Sequence, residues 1–230
     1  MNANATATVP VVTIDGPGGS GKGTVSQLLA ARLAWHYLDS GALYRAVGLA
    51  AQEKGVRFDD AAALAHLARL ADIRFEPQAG GQPARVWLDG RDVSDVLRTE
   101  ETGCLASRVA QFPAVREALL DKQRDFRRQP GLVADGRDMG TTVFPEAILK
   151  VFLTASPEVR AERRYKQLKE KGLDVILSRL LGEIRERDAR DAARQASPLR
   201  PAADAELLDT SSLSIAQAVE MIFRRLQQRL

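Results

Sequence analysis

The chain has 230 residues, enough for one large domain or for a core domain carrying an inserted module. Its 45% hydrophobic content excludes a wholly disordered chain. One cysteine and two histidines exclude an intramolecular disulfide, a cysteine cluster and a histidine-rich metal site. The 33 basic and 30 acidic residues nearly cancel, and aromatics are only 5%, which argues against a nucleic-acid binder. Arg outnumbers Lys by 26 to 7, a compositional bias, so each arginine needs a telling position before it is given a role.

The first residues, MNANATATVP, carry neither a basic start nor an apolar run. They are expected to be a short disordered tail rather than a secretory signal. No apolar stretch approaches ~18 residues, so a cytoplasmic protein without a membrane span is expected.

VVTID (11–15) then reads as a buried strand, GPGGSG (16–21) as a turn-forming loop, and KGTVSQLLAARL (22–33) as a helix. Strand, glycine-rich loop and helix are the context a phosphate-binding loop needs. Successive backbone N–H groups wrap an anion at a helix N-terminus, where the dipole also favours negative charge. Gly16, Gly18, Gly19, Ser20, Gly21, Lys22, Gly23 and Thr24 are the expected ATP-binding residues, with Lys22 reaching the β- and γ-phosphates. The strict pattern puts Ser or Thr directly after the lysine, as a Mg²⁺ ligand. Here Gly23 intervenes and Thr24 comes one residue later. Mg²⁺ is therefore expected to be held mainly by nucleotide oxygens and water, with no dedicated protein ligand set.

HYLDS (36–40), GLVADG (131–136), ILKVFLTA (148–155) and AELLDTS (205–211) read as further buried strands. Strands interleaved with helices predict a parallel sheet covered on both faces. A second helix is expected from near Gly41 to just before Gly55, and Cys104 is expected as a small core residue of a later one. IRFE (73–76) and RVWL (85–88), with a Gly/Pro-rich turn between, predict a small antiparallel module inserted into this fold. From 156 to 197, Ser156 and Pro157 open one charged helix, Gly172 closes it, and Asp174 is expected to cap a second reaching about Arg194. Ser214 is expected to cap a last helix whose apolar face holds Ile215, Val219, Ile222, Phe223 and Leu226.

The arginines Arg45 and Arg137 each follow a strand end, where ligands of α/β sheets bind. Arg187, Asp191 and Arg194 share one helix face, which fits either a binding surface or a solvated salt-bridge ladder. Asp135 ends a buried strand and fits a Mg²⁺-bound water, a partner for Arg137, or a turn cap.

GKGT within the loop resembles the nucleoside monophosphate kinases. LDSGALYR (38–45), ADGRDMGTTVFP (134–145), EIRERDARDAAR (183–194) and PAVREALLDKQRDF (113–126) narrow the resemblance to the bacterial cytidylate kinase family. It runs from about Val11 to the C-terminal helix. The resemblance implies a five-stranded P-loop core (9–58, 100–155 and 198–230), an inserted monophosphate-binding module (59–99) and a two-helix lid (156–197). It implies transfer of the γ-phosphoryl group of ATP to CMP or dCMP in one in-line step. The alternatives are an acceptor-independent ATPase or a kinase for another monophosphate such as UMP. Arg45 and Arg137 would clamp the acceptor phosphate. Arg187 and Asp191 would face its ribose and phosphate, with Arg194 close by. Ser107, Arg116 and Asp138 would read the cytosine edge, and Ser40 and Tyr44 would line that pocket. Arg163 would stabilise the transferring group, in competition with Arg164. Lys22, Arg137, Arg163 and Asp135 are thus the expected catalytic residues, ATP and Mg²⁺ the expected cofactors, and a monomer acting on small nucleotides, without nucleic acid or membrane, the expected working state.

Overall fold

The computed structural model describes residues 9–76, 84–170, 172–193 and 197–230. The N-terminal ten-residue stretch falls largely outside them, as does most of the Gly/Pro-rich turn before Arg85 and, in the last helical segment, Arg194.

Five parallel strands form the central sheet: β1 (Val11–Asp15), β2 (His36–Asp39), β6 (Leu132–Gly136), β7 (Leu149–Thr154) and β8 (Glu206–Asp209), in the order β2-β6-β1-β7-β8. Along β1 and β6 successive side chains go to opposite faces. Val11, Leu132 and Ala134 join one core, and Val12, Ile14 and Val133 the other. That is why these strands read as unbroken apolar runs rather than alternating ones.

One face is covered by α1 (Lys22–Leu33) and α8 (Ile215–Gln227). Helix α8 opens with a reciprocal capping box between Ser214 and Gln217 and buries Ala218, Val219, Ile222 and Leu226. Ile215 and Phe223 are only partly buried at the rim of this core. The other face carries α2 (Ser40–Glu53), α3 (Ala61–Leu70), α4 (Glu100–Val109) and α5 (Pro113–Arg124). Asp39 caps α2 by accepting from the Ala42 amide at 3.1 Å, so this helix starts at Ser40, directly at the end of β2.

A separate antiparallel sheet joins β3 (Ile73–Glu76), β4 (Arg85–Leu88) and β5 (Arg91–Asp92), with Ile73 opposite Leu88 and Glu76 opposite Arg85. Val86 and Leu88 anchor it on the α2–α3 side of the core.

Helices α6 (Pro157–Glu170) and α7 (Leu177–Ala192) pack on each other and bury only Arg160, Ala161, Leu180 and Asp191. Ser156 Oγ accepts from the Val159 amide at 3.2 Å, the expected cap. Two expectations are corrected. Asp174 does not cap α7: Ile176 holds that position without a side-chain bond, and the Asp174 carboxylate accepts from Lys169 at 2.9 Å. The preceding helix supplies a cation that captures the carboxylate first. Cys104 is exposed, because α4 turns Thr102, Gly103, Leu105 and Ala106 inward and leaves position 104 on the outer face.

Candidate active site at the phosphate loop

The loop after β1 turns back so tightly that a Cβ on Gly16 would lie 2.0 Å from the Leu153 carbonyl oxygen. Gly21 adopts φ 89°, which glycine reaches without strain, and it caps α1 with no side-chain hydrogen bond. The first-turn amides of α1 therefore face the cleft without a protein cap. The loop is held from behind through its carbonyls. Arg160 Nη1 donates to Gly18 at 3.0 Å, and Thr210 Oγ1 and Arg163 Nη1 donate to Ser20 at 3.1 and 3.3 Å.

Lys22 opens α1 with its ammonium 3.5 Å from Asp135 Oδ1, and Tyr37 Oη donates to Asp135 Oδ2 at 3.3 Å. Burial, then the nearby Arg137 charge, lowers Lys22 to about 8. Burial raises Asp135 to about 6, with Lys22 pulling the other way. The odd glycine of the loop now has a physical reason. A Cβ on Gly23 would sit 3.2 Å from Asp135 Oδ2, tighter than ordinary contact. A side chain after the lysine would press on this carboxylate from β6, which would have to give by a few tenths of an ångström.

The end of β6 also presents Arg137 and Asp138. Arg137 Nε donates to Asp191 Oδ2 at 3.1 Å, and Ser107 Oγ donates to Asp191 Oδ1 at 3.1 Å, tying β6, α4 and α7 together. Arg116 pairs with Asp138, donates to the Ala110 carbonyl at 3.2 Å, and lies 5.4 Å from the Tyr44 ring centroid. Arg45 donates to the Leu97 carbonyl at 2.9 Å. The Arg187 guanidinium reaches between the loop and α4, 3.4 Å from where a Cβ on Gly18 would be. Burial, then the Arg137 charge, lowers Arg187 to about 10. The Arg137 charge thus disfavours the charged forms of Lys22 and Arg187, which lie half-buried beside it, an arrangement that polyanions relieve.

One buried donor supports that reading. Arg187 Nε has no hydrogen-bond partner among the described residues, and its guanidinium lines the cleft. Leaving such a group unpaired costs about 1–3 kcal/mol, so a ligand rich in acceptor oxygens fits here.

One cleft of about 740 Å³ brings most of the expected residues together. Its wall includes Lys22, Thr24, Ser40, Tyr44, Arg45, Ser107, Arg116, Asp135, Arg137, Asp138, Arg163, Arg187 and Asp191. Gly16 and Ser20 are buried behind it. Arg194 lies outside the described residues. Of the two candidate lid arginines, Arg163 is tied to the loop and to Thr210, while Arg164 pairs with Glu100 at 2.8 Å across the cleft mouth. Among the described residues, no group of three or more His, Cys, Asp or Glu is placed to hold a metal.

Three residues escaped the sequence reading. Asp15 is buried and accepts from the Met139 and Gly140 amides, each at 2.8 Å, which fixes the turn following Arg137 and Asp138. Burial raises its carboxyl to about 7, against the pull of those two amides. Arg160 and its partner Asp188 sit behind the loop. Asp15 closes the strand VVTID directly before the glycine-rich loop, and a buried acid ending a strand was a usable signal. Nothing local in the sequence pairs Arg160 with Asp188.

Comparison with known proteins shows the family. A family model described as cytidylate kinase matches residues 12–228. A cytidylate kinase of Methylococcus capsulatus is 59% identical over 214 residues, 93% of this chain and 95% of that protein. One from Pseudomonas aeruginosa is 57% identical over 221 residues, covering 96% of both chains. One from Aeromonas hydrophila is 55% identical over 221 residues, 96% of this chain and 95% of that protein.

Proposed function

The chain belongs to the cytidylate kinase family, and from that premise we propose that it transfers the γ-phosphoryl group of ATP to CMP or dCMP, giving ADP and CDP or dCDP. The observation that carries this reading is the convergence of Lys22, Arg137 and Arg187 beside the phosphate loop in one cleft.

A monophosphate acceptor brings its own nucleophile, largely ionised near neutrality because its second pKa is about 6. No general base is needed. The work left to the protein is alignment and charge stabilisation. The loop amides and Lys22 hold the ATP phosphates. Arg45 and Arg137 grip the acceptor phosphate with planar forks that suit it. Arg187 and Asp191 face its sugar. Asp138, Arg116 and Ser107 read the base, a carboxylate and donors complementing the cytosine amino group and its N3 and O2 acceptors. Ser40 and Tyr44 line the same pocket. Arg163, held close to the loop, faces the transferring group.

Mg²⁺ would be held chiefly by ATP oxygens and water, with Asp135 and Thr24 on the cleft wall as the residues that would bond its waters. When bound, it neutralises charge on the β- and γ-phosphates.

The module 59–99 closes the acceptor side, and the arm 156–197 swings over the donor side to exclude water. No described helix is long and apolar enough to cross a membrane. A monomer is the proposed working unit, and analytical ultracentrifugation reads this directly.

The test is ADP release from ATP and Mg²⁺ with CMP, dCMP, UMP, AMP or GMP, and with no acceptor. Fast turnover confined to CMP and dCMP is expected. Equal turnover with AMP or GMP would overturn the roles of Ser107, Arg116 and Asp138. Hydrolysis without acceptor would overturn the reaction itself.

A further inference from the structure

Arg160 is only 3% exposed although it lies in the charged arm. Its guanidinium makes contacts in three directions. Nε donates to the Ala155 carbonyl at 3.0 Å, at the end of β7. Nη1 donates to the Gly18 carbonyl at 3.0 Å, in the phosphate loop. Nη1 also reaches Asp188 Oδ1 at 3.0 Å, and Nη2 closes the fork on Asp188 Oδ2. The stem of the side chain covers Gly19: a Cβ there would meet Arg160 Cβ at 3.4 Å.

Asp188 lies on α7 between Arg187 and Asp191. Those neighbours point to the acceptor side, where Asp191 holds Arg137 and Ser107. One buried arginine therefore joins the loop that binds one nucleotide to the helix that faces the other. We infer that the Arg160–Asp188 pair is a positioning element that couples the two nucleotide sites. The inference rests on the reading of the cleft as an ATP and CMP site.

The physical basis is shared ordering. Fixing the loop around phosphates fixes Gly18 and, through the arginine fork, the orientation of α7. A second ligand that needs α7 in place then binds to a helix already held, at a smaller entropic cost. The two sites gain a coupling factor, which must be reciprocal.

Asp188→Asn keeps the shape of the partner but removes its charge and one arm of the fork. Asp188 is about a quarter exposed, so this change leaves the core intact. Arg160→Lys is the second variant, since one ammonium cannot serve Ala155, Gly18 and Asp188 together. Arg185→Gln is the control. It breaks the 2.8 Å pair with Glu158, which joins the same two helices on their exposed outer side.

Isothermal titration calorimetry reads the Kd of CMP with and without a saturating non-hydrolysable ATP analogue. The native protein and the Arg185 variant are expected to bind CMP at least about fivefold more tightly with the analogue present, the lower end of ordinary coupling. Asp188→Asn and Arg160→Lys are expected to bring that ratio below about twofold, with kcat falling more than the KM for either nucleotide alone. An unchanged ratio in both variants, a native ratio near one, or an equal loss in the Arg185 variant would each overturn the inference. A native protein that binds no CMP would overturn the acceptor assignment instead.

Discussion

The sheet core and the α6–α7 arm are stabilised by different means. Around the sheet, α8 alone buries Ala218, Val219, Ile222 and Leu226 against α1 and β7. Among the described residues of the arm the buried ones are Arg160, Ala161, Leu180 and Asp191, two of them charged. Apolar burial is non-directional and tolerates small displacements. Buried ion pairs hold only in one geometry, and breaking one leaves an uncompensated buried charge. The difference teaches that the core supplies stability while the arm supplies position.

Substitutions should separate these two roles. The largest expected effect is on turnover: Lys22→Ala lowers kcat by about 10³-fold or more, the scale of losing a charge-stabilising group. Its circular dichroism and thermal midpoint stay near native. Steady-state kinetics beside a melting curve checks both. A kcat within about tenfold of native would remove Lys22 from the chemistry.

Next comes Ile222→Ala in the core, expected to cost about 2–5 kcal/mol in a urea titration through the cavity it leaves. Leu180→Ala in the arm should cost less than half of that, because its surroundings can close around the gap. Equal losses would contradict the contrast between the regions.

Proteolysis gives a smaller, more local signal. Leu173 and Ile176, between the arm helices, are exposed. Limited digestion with a protease cutting after large apolar residues should nick there before the core. ATP and CMP together should slow that cut severalfold by ordering the arm, a change readable by mass spectrometry.

A separate effect, read on another axis, concerns pH. The Asp15 carboxyl is raised from 3.8 to about 7 in the folded protein. A raised carboxyl binds its proton more tightly folded than unfolded, so its contribution is full below about 4 and is lost as pH rises towards 7. Asp15→Asn removes this contribution. Between those pH values its thermal midpoint should fall less than that of the native protein. Parallel curves would show that Asp15 does not titrate in this window.

The sequence displayed the sheet well. Each strand was found at its expected place, and β1, β6 and β7 are the buried apolar runs expected. The edge strands β2 and β8 bury only Leu38 and Leu208, because each has a neighbour on one side alone. The phosphate loop was legible because its motif is contiguous from β1 into α1. Legibility failed where a side chain had a choice of partners. Asp174 was a plausible cap until Lys169 bonded it from the preceding helix. Cys104 lies in an apolar-looking run, but the helical repeat turned it outward. Gly23 became intelligible only when Asp135, from a distant strand, was found against it. Arg160 looked like one more surface arginine in a charged helix, and its burial arises from Gly18 and Asp188, which no local pattern pairs with it.

The central claim, direct phosphoryl transfer to a cytosine monophosphate, is tested most directly by following the phosphorus itself. ATP labelled at the γ-phosphate is mixed with CMP, Mg²⁺ and the protein, and the products are separated. The account predicts that the label appears on the terminal phosphate of CDP, one for each ADP formed. Label released as inorganic phosphate while CMP stays unchanged would contradict it.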